Sequence, residues 1–372
     1  MDVETIRIGA LMSQTGAFGT GGTAWLESVH LGAAMVNEAG GVEIDGTRYE
    51  FEVVSEDSAT DPAKASAGAL ALIRDDEVKF LVGPGTTGEV SGALPVIEES
   101  DVVWIGGGTG LPGWLETDGV DDKWAQTFAP NPSAATVFPI AMKGILDFLP
   151  DTKTAVLLYP SGAAFDPLMA SAQKAATDAG IETLDTVRYD AAATDFSTVL
   201  TQVRDRHPDL LFMSGTPAAA EAVISQSVQL GGAFDSMLAH GTTAGPALTG
   251  NNGGPAPFPF FYIVPRATDR ATGNQELEAL YDQYAEVNGH AADAAVEQYA
   301  VEFTGPVMAL AEAMRQASSV DDPAAIAEAL STVKVDFLGS SIGFNANHVW
   351  AAPIAICNVV DSAIDCNEYP MP

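Results

Sequence analysis

Short apolar runs alternate along this chain with stretches whose apolar positions recur three and four residues apart. The first pattern predicts buried strands and the second predicts amphipathic helices. TIRIGALM (Thr5–Met12) predicts a strand, then a Gly/Thr-rich loop and a helix over Thr23–Glu38 that stops at Gly40-Gly41. Tyr49–Asp57 predicts the next strand, and Asp61-Pro62 supplies the cap and first residue of a helix running to Arg74. Strands are expected at Val78–Pro84 and Val102–Gly107, with a helix over Glu89–Glu99 between them. Such alternation implies right-handed crossovers and a parallel sheet covered on both faces.

The pattern restarts after Asn131-Pro132. Helices are expected over Ser133–Phe148, Ala164–Ala179, Ser197–Arg206 and Ala218–Leu230. Strands are expected at Thr154–Pro160, Glu182–Asp190, Asp209–Gly215 and Met237–Gly241. After a Gly/Asn/Pro loop (Thr249–Pro259), the strand Phe260–Arg266 leads into helices over Gln275–Val287, Ala294–Ser318 and Pro323–Leu330. These late helices have no sheet of their own to cover. A chain that crosses more than once between two lobes accounts for them better than two successive domains. Each sheet would then offer the C-terminal ends of its strands, where open α/β sheets bind ligands.

The tail carries both cysteines. A two-residue turn at Asp361-Ser362 sets Val360 opposite Ala363 and Cys357 opposite Cys366. Directly opposed cysteines on a hairpin are placed to form a disulfide, which persists in an oxidising compartment. The alternative is a reduced pair that shares two strands by chance. The start, Met1-Asp2-Val3-Glu4, has neither the basic residues nor the apolar run of a signal peptide. Together with a disulfide, this leads us to expect an exported chain whose leader is absent from this numbering.

At 372 residues the chain is long enough for two domains. Fifty acidic residues against sixteen basic ones give a net charge of −34. That charge repels phosphate backbones and argues against nucleic acid as a partner. No apolar stretch approaches the ~18 residues of a membrane span. High salt or a biased genome would each account for so acidic a surface.

The catalytic motifs fail on inspection. GPGTTGEV (Gly83–Val90) has phosphate-loop glycines, but Glu89 stands where the lysine belongs. GAFGTGG (Gly16–Gly22) matches a dinucleotide fingerprint only weakly. GSSIG (Gly339–Gly343) has a nucleophile-elbow pattern around Ser341, yet no acid lies between Ser341 and His348, the one histidine that follows. A serine hydrolase using Ser341 is the rival reading from another class. His30, His207, His240, His290 and His348 are scattered, so neither a metal site nor any cofactor is expected. The residues therefore point to binding rather than to an enzyme. Hydroxyls and glycines after the first, third and fourth strands, from Gln14 to Phe18, at Thr86-Thr87-Gly88 and from Gly106 to Gly110, would make a neutral cradle for a small carboxylate.

IRIGALMSQTGAFG with HLGAAMVNEAGGVEIDG, EDSATDPAKASAGALALI, VKFLVGPGTTGEVSGALPVIEESDVVWIGGGTG, DLLFMSGTPAAAEAVISQSVQLG and FLGSSIGFNANH follow one another in order. In that order and spacing the chain resembles the substrate-binding proteins of branched-chain amino acid ABC transporters, of the type I periplasmic-binding fold. The resemblance implies an α/β protein of two lobes, each a mostly parallel sheet covered by helices, joined by a three-strand hinge. The lobes would be 1–129 with 266–338, and 130–265 with 339–372. Crossings would fall near Phe128–Pro130, Val264–Arg266 and Phe337–Gly339. It further implies an extracytoplasmic protein that closes a cleft on a small organic solute and delivers it to an ABC permease. A sensory module for amides or aromatic acids is the alternative within the same fold.

By the family's pattern the ligand carboxylate meets Thr86, Thr87, Gly108 and Thr109. Phe18 and Phe165 would lie near the ligand, with core packing as their alternative, and Thr216 follows DLLFMSG. Two positions depart from that pattern. His240-Gly241-Thr242 replaces the acid that pairs the ligand ammonium, and Phe165 lacks the commoner tyrosine hydroxyl. An unpaired ammonium is costly to bury. Glu89 and Asp166 are the candidate substitutes for the missing acid. His240 could instead hydrogen-bond a carboxylate, amide or hydroxyl.

Overall fold

A computed structural model describes residues 3–107, 120, 122–162, 165–242, 244–265, 275–291 and 298–371. Gly108, Thr109 and Arg266 lie outside these residues, as does the start of the helix expected from Ala294. The chain forms two compact units. Unit 1 is Met1–Ser133 with Gly273–Ala352, and unit 2 is Ala134–Thr272 with Pro353–Pro372.

Along unit 1 run β1 (Val3–Met12), α1 (Gly19–Glu38), β2 (Val42–Ile44), β3 (Thr47–Asp57), α2 (Pro62–Arg74), β4 (Phe80–Val82), α3 (Thr87–Glu98), β5 (Val103–Ile105) and β6 (Thr127–Phe128). Unit 2 continues with α4 (Ala134–Phe148), β7 (Thr154–Pro160), α5 (Asp166–Asp178), β8 (Glu182–Tyr189), α6 (Ser197–Arg206), β9 (Leu210–Ser214), α7 (Pro217–Gln229), β10 (Ser236–His240), α8 (Gly245–Thr249) and β11 (Phe260–Pro265). The chain returns to unit 1 for α9 (Gln275–Asn288), α10 (Thr304–Ala317), α11 (Pro323–Leu330), β12 (Lys334–Phe337) and β13 (Ser340–Gly343). It closes unit 2 with β14 (Ile354–Val360) and β15 (Ala363–Tyr369).

The sheet of unit 1 has the order β2-β3-β1-β4-β5-β6, parallel except for β2. β1 lies in the middle, with β3 and β4 on either side. The direction of winding reverses there, so the loops after β1 and β4 meet at a topological switch point. The late helices bury Leu277, Tyr281, Phe303, Leu310 and Ile326 in the same core as Ile8, Val29 and Phe80. They supply the apolar cover that the sheet of unit 1 needs.

Unit 2 has the order β15-β14-β11-β10-β9-β7-β8. Strands β7 to β11 are parallel, and β14 and β15 join antiparallel at one edge. One core packs against each face of this sheet. Winding reverses at β7, so the loops after β7 and β9 flank the switch point.

The hairpin register is Val360 to Ala363, Val359 to Ile364, Asn358 to Asp365 and Cys357 to Cys366. Asp361 and Ser362 both adopt positive φ, 50° and 66°, as a tight two-residue turn requires. Cys357 and Cys366 form the disulfide, with S–S 2.03 Å.

Two local expectations differ from the structure, and one strand lies outside what the periodicity predicts. Val42–Ile44 forms a strand against β3 around Asp45-Gly46, too short to show a period. The helix expected from Ala294 to Ser318 is broken, because α10 starts at Thr304 after a 3-10 turn at Gln298–Val301. Pro306 lacks an N–H and fits only the first turn of a helix. The third crossing falls between Ala352 and Pro353. Phe337–Gly339 is instead the turn of the β12–β13 pair, which stays with unit 1.

Candidate functional site

In unit 1, the loops at the strand ends are gathered by one acid. Glu89, in the first turn of α3, is buried with 1% exposure. Its Oε1 accepts the hydroxyl of Ser13, which follows β1, at 2.5 Å, and also that of Ser58, which follows β3. Its Oε2 accepts the hydroxyl of Thr86, which follows β4. Three strand ends are thereby tied to one carboxylate. Asp57 adds a second clasp. It accepts from Gln14 N at 2.9 Å, Thr15 N at 3.1 Å and Thr15 Oγ1 at 2.6 Å. Burial pushes the Asp57 carboxyl up, but the hydrogen bonds from Thr15, Ala59 and Gln14 outweigh it and hold the pKa below the usual range.

The knot decides what Thr86 can do. A hydroxyl has one proton, and that of Thr86 goes to Glu89. Thr86 is the N-cap of α3 without a side-chain cap bond, so the first-turn N–H groups are not closed off by its hydroxyl. The hydroxyl of the next residue, Thr87, makes no side-chain bond among the described residues. At this strand end, backbone N–H groups and the Thr87 hydroxyl are therefore not committed to Glu89, whereas the Thr86 hydroxyl is.

Phe18 stands at the start of α1, its N–H donating to Thr60 Oγ1 at 3.0 Å. Its ring lies over Gly21, where a Cβ would approach Phe18 Cε1 to 2.5 Å. Ring centroids of Phe18 and Trp25 are 4.8 Å apart, and Tyr299 lies 5.4 Å from Phe18 and 5.0 Å from Trp25. Phe18 is thus the partly exposed edge of an aromatic wall whose inner member is the buried Trp25.

In unit 2, Phe165 is the N-cap of α5 and packs on the core between that helix and the sheet. Thr216 caps α7, accepting from Ala219 N at 3.3 Å. His240 ends β10, paired in register with Ser214. Leu157, Phe212 and Leu238 share one face of the sheet. Two residues on, Tyr159, Ser214 and His240 form a row on that same face. Ser214 Oγ lies 3.2 Å from His240 Nδ1, and the ring of Phe138 meets the imidazole edge-on at 5.2 Å. Burial holds the His240 pKa down to about 4, so the imidazole is neutral at neutral pH. Among the described residues, the buried hydroxyls of Tyr159 and Thr242 have no partner.

The structure thus sets Phe18, Thr86 and Thr87 on the strand ends of unit 1, and Phe165, Thr216 and His240 on those of unit 2. Neither candidate substitute for the missing acid is free. Glu89 already accepts from three hydroxyls, and Asp166 is exposed and paired with Arg188. Sequence reasoning passed over Ser13, Ser58, Tyr159 and Ser214. The parity of LLYP, FMSG and MLAHG marked the row in unit 2, whereas nothing local marked the Glu89 knot.

The hydrolase arrangement is not formed. Ser341 is an exposed residue of β13 opposite Asp336, not a strand-to-helix elbow. His348 stacks on Phe128 at 4.2 Å, and its Nδ1 lies 3.0 Å from the Thr127 carbonyl.

Comparison with known proteins agrees with this architecture. The sequence profile of the periplasmic binding protein family matches residues 5–363. A Leu/Ile/Val-binding protein homolog from Brucella melitensis is 23% identical, over 87% of this chain and 83% of its own. The solved leucine binding protein of Thermotoga maritima superposes with a TM-score of 0.78 at 18% identity, covering 99% of each chain. A solute binding protein of an R. palustris ABC transporter, in complex with benzoate, gives 0.78 at 15% identity, covering 99% of this chain and 97% of its own. The chain belongs to the periplasmic binding protein family.

Proposed function

We propose that this member of the periplasmic binding protein family captures a small amine-free carboxylate with a planar or aromatic body, outside the cytoplasm, for an ABC permease. The observation that carries the reading is the state of the acids at the strand ends. Glu89 is occupied by three hydroxyls, Asp57 by a loop, Asp166 by Arg188, and Asp190 by the N–H of Ala192. An α-ammonium would meet no unengaged carboxylate among them, and neutral His240 offers it no charge.

The rest of the set supports an anion with an apolar body. The N–H groups of α3 and the Thr87 hydroxyl suit a carboxylate. The Phe18 wall suits a planar ring, by offset or edge-to-face contact. His240, Ser214 and Thr216 suit a neutral hydrogen-bonding substituent. Gly108 and Thr109 belong to the same proposed carboxylate set. In this reading the solute favours the conformer in which it gains most contacts.

Titration calorimetry with benzoate, 4-hydroxybenzoate and leucine tests the assignment. Micromolar binding, about −8 kcal/mol, is expected for an aromatic acid, with leucine at least about tenfold weaker. Leucine binding as tightly as either acid overturns it.

A further inference from the structure

Glu302 is a second buried acid. It follows the 3-10 turn Gln298–Val301 and is 7% exposed. Asn131 Nδ2 donates to its Oε1, and the buried Nε1–H of Trp25 faces the carboxyl without a well-formed bond. Trp25 is the inner member of the Phe18 wall. Asn131 lies between Pro130 and Pro132, just before the chain leaves unit 1 at Ser133. The carboxyl therefore sits between two donors. Ionised, it matches both. Protonated, it adds a third donor to a site that needs acceptors.

Among the described residues no charged group compensates it. Among the elements packed around it, α1 carries Glu27 and His30, and Glu27 is engaged by His290 and Tyr284. Tyr299 contributes its ring to the wall. His348 is held at Thr127. Burial raises the Glu302 pKa to about 7, and the bond from Asn131 with the nearby Trp25 N–H only partly opposes it.

We propose that Glu302 is a proton-linked positioning residue: ionised, it holds Trp25 and so Phe18 in place beside the Asn131 segment, and on protonation it loosens this wall and weakens solute binding. The proposal rests on Phe18 being a ligand contact. A group with a midpoint near neutrality is about nine-tenths ionised one unit above that midpoint and about one-tenth one unit below it. Affinity should therefore fall from pH 8 to pH 6, by up to about tenfold.

The test measures benzoate affinity at both pH values, in the native protein and in Glu302→Gln. Benzoate stays ionised throughout this window. The variant is expected to bind with a flat pH profile at the weak, low-pH level. A purely structural role would lower affinity and keep the slope, so a retained slope overturns the proposal. Tryptophan fluorescence without ligand gives a second readout. A transition near neutral pH should be present in the native protein and absent from both Glu302→Gln and Trp25→Phe. If benzoate binds at neither pH, the solute reading fails, while the fluorescence transition still judges Glu302: its persistence in Glu302→Gln overturns the proposal.

Discussion

The hydroxyl of Ser13 donates to the buried carboxylate of Glu89 at 2.5 Å, between residues 76 positions apart. Ser58 and Thr86 reach the same carboxylate. One side chain thereby sets the positions of the loops after β1, β3 and β4. Where a phosphate loop carries a lysine to hold its ligand, this chain carries an acid that holds its own loops.

Removing that acid should be costly. Glu89→Ala strands three buried hydroxyls and opens a cavity, and we expect a loss of about 3–5 kcal/mol in unit 1. Glu89→Gln, which keeps the shape and one acceptor, should lose markedly less. Denaturant unfolding of both variants checks this. Equal losses would mean that shape, not hydroxyl pairing, sets the loops.

His240 should govern the preference between amine-free acids and amino acids. His240→Asp puts a carboxylate at the end of β10, beside Ser214. Leucine affinity is expected to rise at least about tenfold and benzoate affinity to fall by a similar factor, since one new ion pair or repulsion is worth about 1–3 kcal/mol. Calorimetry on the variant reads both. Unchanged selectivity would remove His240 from the ligand set.

Two buried groups, Glu302 and His240, give opposite stability slopes. Glu302 has a folded pKa of about 7 against an ordinary 4.5. The folded state then holds a proton that the unfolded state has lost, so its contribution falls as pH rises from 4.5 through 7, by about 3 kcal/mol in total. Glu302→Gln should accordingly be more stable than the native protein at pH 8 while binding less tightly. His240, depressed to about 4, loses stability as pH falls from 6.5 through 4, because the unfolded imidazole takes up the proton first. Thermal midpoints of the native protein, Glu302→Gln and His240→Asn across this range test both signs.

The disulfide closes a loop with a sequence separation of nine. Loop entropy assigns such a link about 2–3 kcal/mol, and the hairpin register already supplies part of that restriction. Reductant should therefore lower the unfolding free energy of unit 2 by no more than this amount and leave unit 1 unaffected. A larger effect would mean that β15 depends on the bond for docking.

A net charge of −34 places self-repulsion on the folded state. Raising sodium chloride from about 0.05 M to about 0.5 M shortens the screening length from about 14 Å to about 4 Å. The unfolding midpoint should rise across this interval. A flat response would mean that the scattered acids are already far enough apart not to repel measurably.

Local chemistry in the sequence settled the elements and one long hairpin. Asp61-Pro62 caps α2, its carboxylate accepting from the N–H groups of Ala63 and Lys64, because a cap acts within a single turn. The Asp361-Ser362 turn carried its register outward to Cys357 and Cys366, because side chains in a strand repeat every two residues. The same parity put Tyr159, Ser214 and His240 on one face once their strands were adjacent. What periodicity does not encode is which distant loops meet. The partners of Glu89 at Ser13 and Ser58, the withdrawal of Thr86 from ligand donation, and the burial of Glu302 between Trp25 and Asn131 come from strand order and helix packing. So does the placing of the third crossing after Ala352. Charge state followed the same division: the sequence identified the ionisable residues, but their ionisation depends on burial and bonding partners that only the folded chain brings together.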